Sequence, residues 1–176
     1  MDEVRYIEED ESYEGVEAKP FPSLEYLLVE RLPNSIYNLN GLNQLHLYEC
    51  DEVSCFPEGM MDNMISLATL KISNFRELKK LPSDITKLTT LSDLRIQSCG
   101  KLECLPEQDL ENLCSLERLS IDECEGLRCL PEGVRHLTSL QTLIIGGCPA
   151  LRERCKEGTG EDWHKIARIP KLIFES

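Results

Sequence analysis

The sequence predicts a curved α/β solenoid with one short parallel strand per coil and loops or single helical turns outside. Three observations carry that reading. An apolar triplet recurs five times at a near-constant interval, and a cysteine or phenylalanine follows each triplet at a fixed offset. A Phe-Pro or Leu-Pro pair then closes four of the coils. Such a unit cannot bury its apolar face alone, whereas stacked units bury a continuous core.

The triplets are Leu42-x-x-Leu45-x-Leu47, Leu67-x-x-Leu70-x-Ile72, Leu91-x-x-Leu94-x-Ile96, Leu116-x-x-Leu119-x-Ile121 and Leu140-x-x-Leu143-x-Ile145. Their starts are separated by 25, 24, 25 and 24 residues. That period and the pattern L-x-x-L-x-L-x-x-N/C are the signature of leucine-rich repeats. The alternating L-x-L core is the strand. Three residues beyond it, Cys50, Phe75, Cys99, Cys124 and Cys148 occupy one inward column, where a small apolar side chain with a weak S–H donor suits the turn. Val53, Leu78, Leu102, Leu127 and Leu151 form the next apolar column. Pro57, Pro82, Pro106 and Pro131 mark the turn outward, because proline cannot donate to a strand ladder. The segment from Pro106 to Leu113 has room for about one helical turn. An earlier triplet, Leu24-x-x-Leu27-x-Val29, starts 18 residues before Leu42, too short for a full coil, so it is either an abbreviated coil or a departure from the solenoid.

Composition narrows the function. The chain has 176 residues, 41% of them hydrophobic and 29% charged, a globular mixture. Its 19 basic and 32 acidic residues give a net charge of −13, which repels a phosphate backbone and argues against nucleic acid as a partner. Apolar runs are far too short for a membrane span, and no secretory leader is evident. Nine cysteines, an odd number, then point to a reduced intracellular (cytoplasmic) protein rather than a disulfide framework.

Further residues resemble a known family. The repeat form L-x-x-L-x-I-x-x-C-x-x-L-x-x-L-P is similar to the C-terminal repeats of plant nucleotide-binding leucine-rich-repeat disease-resistance proteins of the coiled-coil branch. The closing run Cys148-Pro149-Ala150-Leu151-Arg152-Glu153-Arg154-Cys155, then Gly160-Glu161-Asp162-Trp163-His164-Lys165-Ile166-Ala167-Arg168-Ile169-Pro170, resembles the block that ends many of them. Arg168 stands where histidine is commoner. Phe21-Pro22-Ser23-Leu24-Glu25 also resembles a recurring phrase of theirs, so the likeness covers residues 21–176. No G-x-x-x-x-G-K-[ST] is present, so only the sensing end is matched and no nucleotide or other cofactor is expected. The resemblance implies a protein-recognition region, monomeric in isolation. It would recognise pathogen effectors directly or through guarded host proteins, and would restrain the nucleotide-binding module by intramolecular contact. A stand-alone repeat adaptor, such as a substrate receptor in ubiquitin ligation, is the alternative. That class usually adds a recruiting helix pair, which the sequence does not show.

The expected organisation is an acidic leader with a partial repeat (1–20), a solenoid (21–148) and a C-terminal cap (149–176). The leader carries eight acidic and two basic residues. In the cap, Trp163 and Ile166 share one face of a helical turn begun by Glu161 and Asp162, and Lys171–Phe174 runs on extended without leucine-repeat register. Trp163 is the expected wedge over the last coil.

Strand side chains alternate, so residues between and after the leucines line the concave sheet. One column reads Leu28, His46, Lys71, Arg95, Ser120 and Ile144; the next reads Glu30, Tyr48, Ser73, Gln97, Asp122 and Gly146. The candidate partner-binding residues are therefore His46, Tyr48, Lys71, Ser73, Arg95, Gln97, Ser120 and Asp122. Lys71 and Arg95 form a basic spot suited to an acidic patch. Catalysis is a weaker reading. The C-x4-C pairs Cys50/Cys55, Cys99/Cys104 and Cys124/Cys129 could offer thiolates to zinc, but both members sit in fixed repeat columns. His46, His136 and His164 lie in separate coils. The chain reads as a binding module, not an enzyme, with no metal site.

Overall fold

A computed structural model describes residues 26–29, 41–49, 53–57 and 59–175, with only the backbone given for 26–29. The leader at 1–20, the phrase at 21–25, and Glu30 and Cys50 lie outside the described residues. Seven strands form one sheet in sequence order: β1 Tyr26–Val29, β2 Gln44–Tyr48, β3 Thr69–Ser73, β4 Asp93–Gln97, β5 Arg118–Asp122, β6 Thr142–Gly146 and β7 Lys171–Phe174. All neighbours are parallel, and equivalent leucines stack: Leu45↔Leu70, Leu70↔Leu94, Leu94↔Leu119 and Leu119↔Leu143. Each inward leucine thus packs on its copies in the adjacent coils. The apolar residues of all five full triplets are buried, and they form one continuous core with the Phe75, Cys99, Cys124 and Cys148 column. This is a leucine-rich-repeat solenoid.

Each coil is closed by the same backbone devices. Residues Glu49, Asn74, Ser98, Glu123 and Gly147 all have φ between 51° and 60°, the left-handed region. That conformation costs a non-glycine residue about 1–2 kcal/mol. Its recurrence in four non-glycine residues shows that neighbouring coils impose it. The amides stay paired, as in Asn74 N to Gln97 O at 3.0 Å and Ser98 N to Asp122 O at 2.9 Å. This reversal turns the next side chain, the cysteine, into the coil. There Cys99 Sγ donates to Gln97 O at 3.4 Å and Cys124 Sγ to Asp122 O at 3.3 Å. The second cysteine column differs: Cys55 is exposed, and Cys104 and Cys129 are half-buried.

The prolines open short 3-10 turns. Pro82 and Pro131 sit just before Ser83–Lys87 and Glu132–His136 with φ of −66° and −64°, the value the ring fixes. Between them Leu110–Asn112 forms the single turn expected after Pro106.

One open alternative is decided and one expectation corrected. β1 pairs with β2 in the repeat register, Leu27↔Leu45 and Val29↔Leu47, so the short 18-residue step still returns a strand to the sheet. Residues 171–174 also join the register, with Leu172↔Leu143 and Phe174↔Ile145. The helices α1 Pro149–Arg154 and α2 Trp163–Ile166 precede that strand. Trp163 is only half-buried, whereas Ile166 is fully buried and Ile169 nearly so. The wedge is therefore Ile166, because α2 aims the i+3 position inward and leaves the indole at the rim.

The fully buried charge in this segment is Asp162, 0% exposed. Its carboxylate accepts from Leu130 N at 2.9 Å, Arg154 Nε at 3.2 Å, Arg154 Nη2 at 3.1 Å and Lys165 Nζ at 3.0 Å. Lys165 also donates to Leu130 O at 2.7 Å. The terminal segment is thus bolted to the preceding coil at both polar groups of Leu130. Burial pushes the Asp162 pKa up, but the hydrogen bonds from Arg154, Leu130 N and Lys165 outweigh it and hold the carboxyl below its ordinary value.

Candidate protein-recognition face

The outward side of the sheet presents three columns. The first is Gln44, Thr69, Asp93, Arg118, Thr142 and Lys171. The second is His46, Lys71, Arg95, Ser120, Ile144 and Ile173, and the third is Tyr48, Ser73, Gln97, Asp122 and Gly146. All eight candidate residues therefore share one face in register, with strands about 4.8 Å apart. Because the strands are hydrogen-bonded on both sides from β2 to β6, this surface is held rigidly by backbone rather than by side chains.

Accessibility divides the candidates. Tyr48 and Arg95 are exposed, while His46, Lys71, Gln97, Ser120 and Asp122 are half-buried. Ser73 is a correction, at 4% exposed, with its hydroxyl lacking a hydrogen-bond partner among the described residues. A small side chain between larger neighbours in the column lies too deep to meet a partner. Asp122 is partly occupied as well, since its carboxylate lies over Gly146, where an added Cβ would collide with it.

The basic spot at Lys71 and Arg95 is not isolated. Arg95 grips Asp93 through Nε at 3.0 Å and Nη2 at 2.6 Å, and Arg118 Nε stands 3.8 Å from the same carboxylate. Asp93 is thus bracketed by two guanidiniums, and the hydrogen bonds to it raise the Arg95 pKa. Beside them, burial and then repulsion from Lys71 and Arg95 lower the His46 pKa, with Asp93 opposing. These surroundings favour the neutral imidazole at His46. The sequence reading missed Asp93 and Arg118, although alternation alone places them: each stands two residues before an accepted member of the same strand.

The face changes along the solenoid. From β2 to β5 it mixes an aromatic ring, a histidine, three cations and two carboxylates, whereas β6 offers only Thr142, Ile144 and Gly146. No group of three or more histidine, cysteine or acidic side chains among the described residues could hold a metal ion. No helix among them is long and apolar enough to cross a membrane. Burial holds the Cys155 thiol up at about 12. Cys124 is pushed up by its hydrogen bonds to Cys148 and Cys99 together with burial.

The arrangement is a leucine-rich-repeat solenoid with an ordered outward face, and comparison with solved structures bears out the fold. The fold matches the Leptospira interrogans LRR protein LIC12759 with a TM-score of 0.60 at 23% identity, covering 70% of this chain and 31% of that one. It matches the leucine-rich repeat domain of the type III effector XCV3220 (XopL) with a TM-score of 0.57 at 24% identity, covering 88% and 62%. No family model matches the sequence. Among curated proteins, the chain is 67% identical over 140 residues to "Putative disease resistance protein RGA1" of Solanum bulbocastanum. The resemblance to plant disease-resistance proteins, read from the repeats and the closing block, therefore holds. The match covers 80% of this chain and spans 14% of that relative's length.

Proposed function

We propose that this chain is the sensor region of an intracellular plant immune receptor, and that the β2–β5 face recognises a protein. The partner is a pathogen effector, a guarded host protein, or the receptor's own nucleotide-binding module in the resting state. The observation that carries the reading is the in-register array of Tyr48, Lys71, Arg95, Asp93 and Arg118 on a sheet whose backbone is already fixed. A preorganised surface spends little entropy on ordering when it binds. Its alternating charges select a partner of complementary pattern and penalise one with like charges opposed. The candidates Gln97, Ser120 and Asp122 line the lower edge of this patch, while the half-buried His46 reports on it through its protonation.

Residues 149–176 are proposed as the cap of the solenoid, a stabilising rather than a binding element. The test of the functional reading is capture from plant extract by the chain and by a Tyr48→Ala, Lys71→Glu, Arg95→Glu variant. Proteins retained by the parent and lost by the variant are the expected result. Identical capture by a correctly folded variant would overturn the assignment of the face.

A further inference from the structure

A second polar surface lies on the flank of the solenoid, at the turns after the cysteine column. Lys79, Lys101 and Arg128 frame an open groove of about 510 Å³ whose floor includes Gly126, with Glu103 between the cations. Lys79, Glu103 and Arg128 are equivalent positions of three successive coils, and Glu103 N donates to Lys79 O at 2.9 Å. Lys101 is neutralised by Glu77 at 2.6 Å. Lys79 and Arg128 make no ion pair with a described residue, in a chain whose net charge is −13. Two cations left unpaired amid so many carboxylates form a local anion-seeking pair. Gly126 lets the coils pack closely under the groove: a Cβ there would come within 2.6 Å of Gly100 O and 2.9 Å of Leu102 O.

We propose that this groove docks an acidic peptide segment of a partner protein, with two carboxylates three residues apart reaching Lys79 and Arg128. Coils repeat at about 4.8 Å, so two steps place those cations about 10 Å apart. A polyproline II segment has three residues per turn and rises about 3.1 Å per residue, which sets carboxylates at i and i+3 on one face about 9 Å apart. Glu103, midway, matches the uncharged gap between them. A nucleic-acid strand fits poorly, because its continuous phosphates would also meet Glu103, where a peptide can present an uncharged residue. The groove is separate from the strand columns, and the inference stands or falls independently of the reading of the sheet face.

The test is a titration of the ¹⁵N-labelled full chain with the blocked peptide Glu-Pro-Pro-Glu-Pro-Pro-Glu, followed by amide shifts. Shifts concentrated at Lys79, Lys101, Glu103, Gly126 and Arg128 are expected. Lys79→Glu with Arg128→Glu should weaken binding about tenfold or more, and the milder Lys79→Gln with Arg128→Gln should weaken it less. Spectra of both variants show whether the fold is kept, and Lys71→Glu with Arg95→Glu should leave the peptide affinity within about twofold. Shifts centred on His46, Lys71 and Arg95, or unchanged affinity in the folded flank variants, would overturn the proposal. Tighter binding of a single-stranded oligonucleotide than of the peptide would overturn the ligand class.

Discussion

The repeated coils and the terminal segment solve the same problem by different chemistry. From Leu67 to Cys148 each coil is fixed by leucines stacked on their copies, a left-handed residue at the strand end and a ladder of backbone hydrogen bonds. From Pro149 to Phe174 the leucine triplet does not recur, although β7 keeps the sheet register. Besides the β7 ladder, the segment is held by one buried carboxylate serving Arg154, Lys165 and Leu130 N, with Ile166 buried beneath α2. Repetition spreads stability over many small equal contacts, whereas a unique end concentrates it in a few atoms. The same sheet register runs through both, so the difference lies in side chains, not topology.

The sharpest break of that comparison is to remove the segment. A chain ending at residue 155 uncovers the buried Leu143, Ile145, Leu151 and Cys155, and aggregation or loss of cooperative unfolding is expected. Asp162→Ala should cost about 3 kcal/mol, because it leaves the buried Leu130 amide without its acceptor and the Lys165 ammonium without its nearer carboxylate, while Arg154 stays partly solvated. Ile166→Ala belongs in the same range, about 2–5 kcal/mol. Trp163→Ala should cost about 2 kcal/mol, less than a fully buried tryptophan, since the indole sits at the rim. Chemical denaturation of each variant decides the order. Equal losses for Trp163 and Ile166 would contradict the assignment of Ile166 as the wedge.

Acid should loosen the terminal segment through Asp162. The Asp162 carboxyl is held below its ordinary 3.8, so it contributes its full stability above that pH and loses it as pH falls through the lower folded value. Amide exchange in residues 149–175 should therefore rise as pH falls below 3.8, and Asp162→Asn should remove that pH dependence. His46 responds in the same direction at higher pH. Its pKa is lowered from 6.5, so its stability contribution is complete above 6.5 and declines as pH falls below it. An acidic partner on the sheet face would raise that pKa and draw in a proton on binding.

Much of this was legible in the chain. The five triplets place β2–β6, and the cysteine column falls inward at the turn as its spacing requires. The face was legible only in part. Alternation placed the eight candidates together, but the burial of Ser73 depends on the bulk of its column neighbours, which one strand does not encode. The Asp93 bracket was missed by reading from the second leucine forward rather than one position back. Asp162 was hidden for a different reason: an acidic residue before a short helix suggests a helix start, and only the chain's return onto Leu130 makes it a buried anchor. β7 joins the register because pairing with β6 is backbone chemistry, indifferent to the missing leucine triplet.

The smallest energetic change carries the largest functional weight. Lys71→Glu with Arg95→Glu disturbs exposed and half-exposed charges and one surface ion pair, so stability should change by about 0.5–1 kcal/mol. The direct test of the division of labour pairs two readouts on one set of proteins: melting temperature and quantitative capture from plant extract. The Tyr48→Ala, Lys71→Glu, Arg95→Glu variant should melt within a few degrees of the parent and lose its captured proteins. Capture that survives in this variant at an unchanged melting temperature would contradict the claim that the β2–β5 face is the recognition surface.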